Sequence, residues 1–165
     1  MTKDTRPKWP IERALEDFEA GDFVISGGRT IEASDISAFA GLTGDFYPLH
    51  VDEEYAKSTP FGGRLAHGPL TFSIAIGLIS MMGYYGMAIK AMLECKQLRA
   101  LRPVRPGDTI RVKATVMDVG EWKQPSLGTL TMRYSVLNQK DEEVMEFTIV
   151  MLAKRRSAGR ETKNG

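Results

Sequence analysis

The chain contains two histidines, His50 and His67, and both lie in a turn-rich segment with Asp45 and Gly68. An imidazole titrates near neutral pH, and a carboxylate does so when it is partly desolvated, so such a pair can exchange protons with a bound water. Asp45 and His50 are five residues apart, with Pro48 between them. Because proline fixes its own φ and keeps the preceding residue extended, the segment is predicted to bend. A bend would let the two side chains face one water molecule.

A purely structural interpretation of the same residues is also open. Asp45 could cap a turn, and His50 could be a loop histidine that donates to a backbone carbonyl. Gly68 stands just before an apolar helix, where its N–H would lie at the positive end of the helix dipole and could donate to an oxygen that becomes negative. The same glycine could serve only a tight entry into the helix. Residue types and spacing leave both interpretations standing.

The strongest helical signal covers residues 69–82, which are apolar almost all the way round and begin with proline. Proline is favourable at a first helical position, and a helix apolar on all sides is normally enclosed by the rest of the protein. Ser34 is predicted to be the N-cap of an earlier helix, with Asp35 in its first turn. Asp52 is predicted to cap a second short helix that reaches Ala56.

The second half of the chain has the rhythm of strands, predicted at residues 88–101, 109–119, 128–137 and 144–152. Turn residues separate them, and alternation is clearest in the second and third. Residues 23–25 and 30–31 suggest a hairpin-like entry segment. An apolar helix followed by antiparallel strands predicts an α+β fold, with a curved sheet wrapped around the helix as the economical packing.

Length and composition suit one soluble domain. The 165 residues are predicted to form a single domain over 11–153, between a charged, flexible tail at 1–10 and a basic, flexible tail at 154–165. The net charge of +1 gives no electrostatic case for binding nucleic acid or a membrane. Cys95 is the single cysteine, which excludes an internal disulfide, and it is predicted to pack in the core. With no apolar leader and no stretch long enough to cross a bilayer, a cytoplasmic protein is expected.

Three separated segments, in this order, resemble a known family. Residues 44–50 (Gly-Asp-Phe-Tyr-Pro-Leu-His) and then His67-Gly68 resemble the hydratase signature of MaoC-like proteins, the (R)-specific enoyl-CoA hydratase/dehydratase family. That signature runs Asp-x-Asn-Pro-hydrophobic-His and then His-Gly at the start of a central helix. Residues 101–110 resemble the family's strand-turn-strand segment, and the resemblance covers about residues 20 to 153.

The resemblance implies a hot-dog fold, in which a curved antiparallel sheet wraps a long central helix. It implies a lyase that hydrates acyl-CoA substrates, with coenzyme A as part of the substrate and with no metal or redox cofactor. It implies a homodimer or a dimer of dimers with sites near the subunit interface. The matching positions make Asp45 and His50 the catalytic pair and Gly68 the oxyanion-hole donor. The substrate-binding candidates are Tyr47, Phe61 and His67.

Two positions depart from the family pattern. Tyr47 stands where the motif has asparagine, and Ile76 stands where many members carry a serine on the central helix. Both changes leave the catalytic pair intact and leave the acyl group open, from short straight chains to branched, dicarboxylic or aromatic ones. A hot-dog thioesterase and a non-catalytic acyl-CoA-binding module are the alternative functions.

Overall fold

The computed structural model describes residues 11–156. Within that range the chain forms one short 3₁₀ turn, four α-helices and six β-strands. The helices are α1 (Ala33–Thr43), α2 (Pro48–Val51), α3 (Glu53–Ser58) and α4 (Gly68–Met81). The strands are β1 (Phe23–Ile25), β2 (Arg29–Thr30), β3 (Ile89–Ala100), β4 (Thr109–Glu121), β5 (Leu127–Leu137) and β6 (Glu143–Lys154).

The strands form one antiparallel sheet in the order β1-β4-β5-β6-β3, with β2 paired to β4 beside this path. The pairing of β3 with β6 has three register shifts, and that of β4 with β5 has one between Val116 and Asp118. Such irregularities bend a strand and increase its twist, which lets a sheet curve over a helix. The α+β prediction and its four long strands are therefore confirmed.

The entry segment was expected to be hairpin-like, and that prediction is wrong. β1 and β2 both pair with β4, and neither pairs with the other. Two hydrogen bonds of Ser26 explain why this segment pairs with β4. Its N–H donates to the Val112 carbonyl at 2.9 Å, and its hydroxyl accepts the Val112 N–H at 2.9 Å. The long strand β4 offers hydrogen-bonding groups to both short strands, whereas a hairpin of β1 and β2 alone would be only marginally stable.

The core lies between α4 and the inner face of the sheet. Most apolar residues of α4 are buried as predicted, and Ile79 and Ala75 are fully enclosed, whereas Phe72 and Ile76 are half-buried and Met81 is exposed. Every second residue of β5, and of β6 from Met145 onward, is buried, as expected for strands with one face on the core. The buried hydroxyls of Tyr85 and Tyr134 bond to each other, and burial raises the pKa of Tyr134 to about 12.

The short helices differ from prediction at their starts. The N-cap of α1 is Glu32, two residues before the predicted Ser34, and the Glu32 N–H donates to the Asp35 carboxylate at 2.9 Å. Asp52 caps α3 as predicted, because its carboxylate accepts the Tyr55 N–H at 3.0 Å. α2 falls where the sequence predicts a bent loop, since Pro48 begins a single helical turn.

Strand β3 lies at the end of the sheet and bonds only to β6 among the described strands. Eleven of its twelve residues are exposed, including the apolar Met92, Leu93 and Leu98. Cys95 is exposed as well, so the prediction that it packs in the core is wrong. The alternation of strand residues does not reveal that, within residues 11–156, nothing pairs with the other side of this strand.

The folded region continues past the predicted boundary at residue 153. Lys154 is the last residue of β6, and Arg155 pairs with Glu121 at 2.7 Å. Arg156 also pairs with Asp17. The rest of the two predicted tails, residues 1–10 and 157–165, lies outside the described residues. Among residues 11–156 no helix has the length and apolar character needed to cross a bilayer.

Candidate active site

Asp45 is placed by the end of α1. Gly44 closes this helix in the left-handed region, at φ +79°, and its N–H donates to the Ala40 carbonyl at 2.8 Å. The chain thereby turns away from the helix axis, and Asp45 follows on the exposed surface. Its carboxylate accepts the Tyr47 N–H at 3.3 Å, so the turn-capping interpretation of Asp45 holds in part. The second carboxylate oxygen remains available for other donors.

His50 is placed by α2 and oriented by one backbone carbonyl. Its Nδ1 lies 2.8 Å from the carbonyl oxygen of Leu65. A carbonyl only accepts, so Nδ1 carries the proton and the lone pair of a neutral ring lies on Nε2. The prediction that His50 donates to a carbonyl and the prediction that it acts as a base are therefore compatible. Hydrogen bonding through Nδ1 is what frees Nε2 to take a proton.

The fold brings Asp45 and His50 together. A carboxylate oxygen of Asp45 and a ring nitrogen of His50 lie within 4.8 Å of each other. One water molecule with hydrogen bonds of about 2.8 Å to each side can bridge such a gap. The two groups are thus close enough to share a water.

Gly68 is the first residue of α4, with His67 as the N-cap. The N–H groups at the start of a helix have no intrahelical acceptor, so this amide can donate to a ligand. Gly68 is half-buried in the wall of a cavity of about 310 Å³, which it shares with Phe61, Leu65, Arg102 and Met145. The predicted oxyanion donor therefore opens onto a space large enough for an acyl group.

The three predicted substrate-binding residues lie in different environments. Phe61 is exposed and lines the cavity at Gly68. Tyr47 is also exposed, and its ring meets the His50 ring edge-on with centroids 6.3 Å apart. His67 has no exposed surface and lies under His50, so its position does not support direct contact with substrate.

Asp45, His50 and His67 form a cluster of groups that often bind metals, but its geometry does not suit a shared ion. The two imidazole rings are stacked, with centroids 3.8 Å apart and planes 28° apart. A metal bound to imidazole lies close to the ring plane, and the planes of stacked rings meet far from their nitrogens. One nitrogen of each ring already faces a carbonyl: Nδ1 of His50 faces that of Leu65, and Nε2 of His67 faces that of Asp45.

Two contributors to the site were not predicted from sequence. The Leu65 carbonyl orients His50, and backbone atoms leave no signal in residue types. Phe39 packs against the His67 ring with centroids 5.1 Å apart. Nothing in the residue pattern of α1 indicates that Phe39 faces a histidine.

Comparison with known proteins places the chain in a family. A model of the MaoC-like domain matches residues 19–137. An (R)-specific enoyl-CoA hydratase of Rhodospirillum rubrum is 40% identical over 103 residues, which are 62% of this chain and 68% of that protein. The matched region covers 31% of the length of one curated relative and 99% of another.

Solved structures agree with the sequence match. The crystal structure of a MaoC-like dehydratase from Rhodospirillum rubrum has a TM-score of 0.77 and 33% identity, covering 88% of this chain and 99% of that one. A Mycobacterium tuberculosis protein described as a double hotdog fold has a TM-score of 0.77 at 21% identity, covering 90% of this chain and 46% of that one. The chain therefore has the hot-dog fold and belongs to the MaoC-like dehydratase domain family.

Proposed function

We propose that this protein is a hydro-lyase that reversibly hydrates trans-2-enoyl-CoA to (R)-3-hydroxyacyl-CoA. The observation that carries the proposal is that the Asp45 carboxylate and the His50 ring lie within 4.8 Å of each other and of His67, which immediately precedes the Gly68 amide at the start of α4. The similarity to an (R)-specific enoyl-CoA hydratase supports the same reaction and its stereochemistry.

The thioester carbonyl oxygen would accept the Gly68 N–H. As the reaction proceeds, negative charge moves onto this oxygen, and an amide at a helix N-terminus stabilises it more than it stabilises the neutral carbonyl. The Gly68 amide therefore lowers the energy of the enolate-like state, which is the state that limits addition to a conjugated thioester.

The water held between Asp45 and His50 supplies both groups that are added. Its oxygen bonds to the β-carbon while one of the pair takes its proton, and His50 Nε2 has the lone pair for this. A proton from the pair is then delivered to the α-carbon on the same face. One water is consumed, the carbon–carbon double bond becomes single, and both side chains return to their starting states. The reverse sequence dehydrates the 3-hydroxyacyl thioester.

The cavity beside Gly68 supports a thioester with an apolar acyl group. Apolar side chains such as Leu65, Val104 and Met145 form much of its wall. Arg102 lies at the same cavity and is exposed, so its guanidinium is available to the phosphates of coenzyme A. Coenzyme A enters the proposal as part of the substrate.

The first prediction concerns the catalytic pair. Hydration of crotonyl-CoA, followed by loss of the conjugated-enoyl absorbance, is expected for the unaltered protein. Asp45→Asn and His50→Ala should each lower kcat by about 10²–10⁴-fold, because each removes a proton-transfer group. Unfolding curves close to that of the parent protein would show that both variants remain folded.

The alternatives give different readouts in the same experiment. A thioesterase releases free coenzyme A, which a thiol-reactive dye detects, whereas hydration releases none. A non-catalytic binder would bind the thioester without turnover. Full activity in either variant would contradict the assignment of the pair.

We also propose that the protein is a homodimer that pairs through β3. This strand is twelve residues long, and the structure shows it at the end of the sheet with exposed apolar side chains. A long edge strand that exposes apolar side chains and has no neighbour among the described strands is prone to pair with another chain. A second copy is the natural partner, since most soluble oligomers are symmetric.

A further inference from the structure

His67 contacts both members of the proposed catalytic pair, although the proposed reaction gives it no proton to carry. Its ring stacks on the His50 ring with centroids 3.8 Å apart. Its Nε2 lies 3.0 Å from the carbonyl oxygen of Asp45. Phe39 packs on His67, and the residue has no exposed surface. A buried ring in this position is suited to holding its neighbours rather than to meeting substrate.

The hydrogen bond to Asp45 selects one tautomer of His67. Because a carbonyl accepts, Nε2 carries the proton. The Nδ1 atom of His67 is buried and has no hydrogen-bond partner among residues 11–156. The opposite tautomer would bury an N–H there without an acceptor and would remove the donor from the Asp45 carbonyl, which costs more than leaving one lone pair unpaired. The two histidines therefore carry opposite tautomers, Nδ1–H in His50 and Nε2–H in His67.

The bond from His67 Nε2 to the Asp45 carbonyl is the shortest hydrogen bond that Asp45 makes with the described residues. The other two are its N–H to the Thr43 hydroxyl and the Tyr47 N–H to its carboxylate, both at 3.3 Å. α2, which carries His50, is only four residues long and has no buried side chain. An isolated helix of this length has no stability of its own. Both catalytic groups thus depend on outside contacts for their positions.

We propose that His67 is a positioning residue that fixes Asp45 and His50 relative to the Gly68 amide. It is the N-cap of α4 and immediately precedes Gly68, so its backbone is anchored to the same helix start that presents the oxyanion donor. Its ring then reaches Asp45 through Nε2 and His50 through stacking. This inference rests on the proposed hydratase function and adds the element that links its three groups.

Three substitutions separate the hydrogen bond from the ring. His67→Gln keeps an amide N–H at about the reach of Nε2 and loses the ring. His67→Asn is the matched control, because its shorter amide places the donor near the former Nδ1. His67→Phe keeps an aromatic ring for stacking and loses the donor. All three leave Asp45, His50 and the cavity residues in place.

The expected result is a split between kcat and KM in the crotonyl-CoA assay. His67→Asn and His67→Phe should lose about 10²-fold in kcat, because small displacements of reacting groups have effects of that size. KM should stay within about 2-fold, since the residues that line the cavity are unchanged. His67→Gln should recover part of the loss, because it restores the donor to the Asp45 carbonyl and not the stacking on His50. Equal kcat in the Gln and Asn variants, or a KM that rises as kcat falls, would overturn the positioning role.

A second measurement does not depend on turnover. Nitrogen-15 NMR of the two histidine rings at pH 8 distinguishes the tautomers, and His67→Gln assigns the signals because only His50 remains. Opposite tautomers are expected in the parent protein, with His50 keeping Nδ1–H in the variant. Identical tautomers in the parent protein would refute the inference even if hydration is observed. Absence of hydration with opposite tautomers would instead count against the proposed function.

Discussion

At the residue scale, the site depends on a backbone conformation as much as on the groups that carry the chemistry. Asp45 follows α1 directly, and the left-handed φ of Gly44 sets the direction in which the chain leaves that helix. A residue with a Cβ adopts this conformation only at a cost. The glycine of the signature segment therefore has a physical role that is separate from catalysis.

The second prediction tests that role with Gly44→Ala. The substitution should lower the free energy of unfolding by about 1–2 kcal/mol, because the left-handed region is strained for alanine. It should also lower kcat for enoyl-CoA hydration, since relief of the strain shifts Asp45. Denaturant unfolding and the crotonyl-CoA assay measure the two effects.

Gly41→Ala is the matched control. Gly41 lies inside α1 and is exposed, and an added Cβ would meet no atom within 4 Å at either glycine. Alanine should therefore stabilise α1 at this position by about 0.5–1 kcal/mol without changing kcat. Equal stability changes in the two variants would show that the left-handed conformation is not the cause.

At the element scale, the elements predictable from sequence were those whose burial is regular. The apolar run of α4 and the alternation in β4 and β5 each reflect one buried face, so the pattern carries the structure directly. β1, β2 and α2 are too short for any period to show, and the conformations of β1 and β2 are set by β4, a partner distant in the chain.

The candidate site was likewise predictable only in part. Asp45, His50 and Gly68 were predictable because their residue types and order match a known signature. The stacking of His67 on His50 was not, because it depends on how the chain returns from α3 to α4. A histidine beside a glycine was therefore assigned to substrate, whereas the structure places it beneath the proposed catalytic pair.

Two cavities lie along α4, and their lining residues on α4 and β6 come before Phe72 and Phe147 in one case and after them in the other. Gly68, Phe72, Ile76 and Ser80 lie four residues apart on one ridge of α4. Phe72 meets Phe147 of β6 edge-on, with ring centroids 4.7 Å apart. On one side is the cavity at Gly68, and on the other is an apolar cavity of about 430 Å³ lined by Ile76 and Ser80.

The third prediction is that this aromatic pair limits acyl length. With the thioester at Gly68, a short acyl chain fits before Phe72 and a long one meets the ring. Phe72→Leu should therefore raise kcat/KM for decenoyl-CoA relative to crotonyl-CoA by about 10-fold or more, the effect expected when a hydrophobic pocket gains room. A panel of enoyl-CoA thioesters with four to ten carbons measures the ratio.

Ile76→Ala provides the comparison for this panel. It enlarges the second cavity without removing the Phe72 ring, so the preference for chain length should stay that of the parent protein. If Ile76→Ala lengthens the accepted chain as much as Phe72→Leu does, the two cavities are already continuous for the substrate and the aromatic pair is not the limit.

At the scale of the whole molecule, the exposed edge of β3 determines the fourth prediction. A homodimer that pairs through β3 should be disrupted by Leu98→Lys, because a charged side chain on an edge strand disfavours pairing. Leu98 is 48% exposed in the single chain, so the substitution leaves the core unchanged. Light scattering after size exclusion should give the mass of a dimer for the parent protein and a mass near 18.3 kDa for the variant.

Leu42→Lys is the appropriate comparison, since Leu42 is 83% exposed on α1 and lies on an element that does not belong to the sheet. This variant should keep the mass of the parent. A stable interface buries about 1,200–2,000 Å² in total, so one lysine at its centre has a large effect and one outside it has none. A parent protein that is monomeric at micromolar concentration would contradict the proposed homodimer, and a Leu98→Lys variant that remains dimeric would mean that the dimer forms through a surface other than β3.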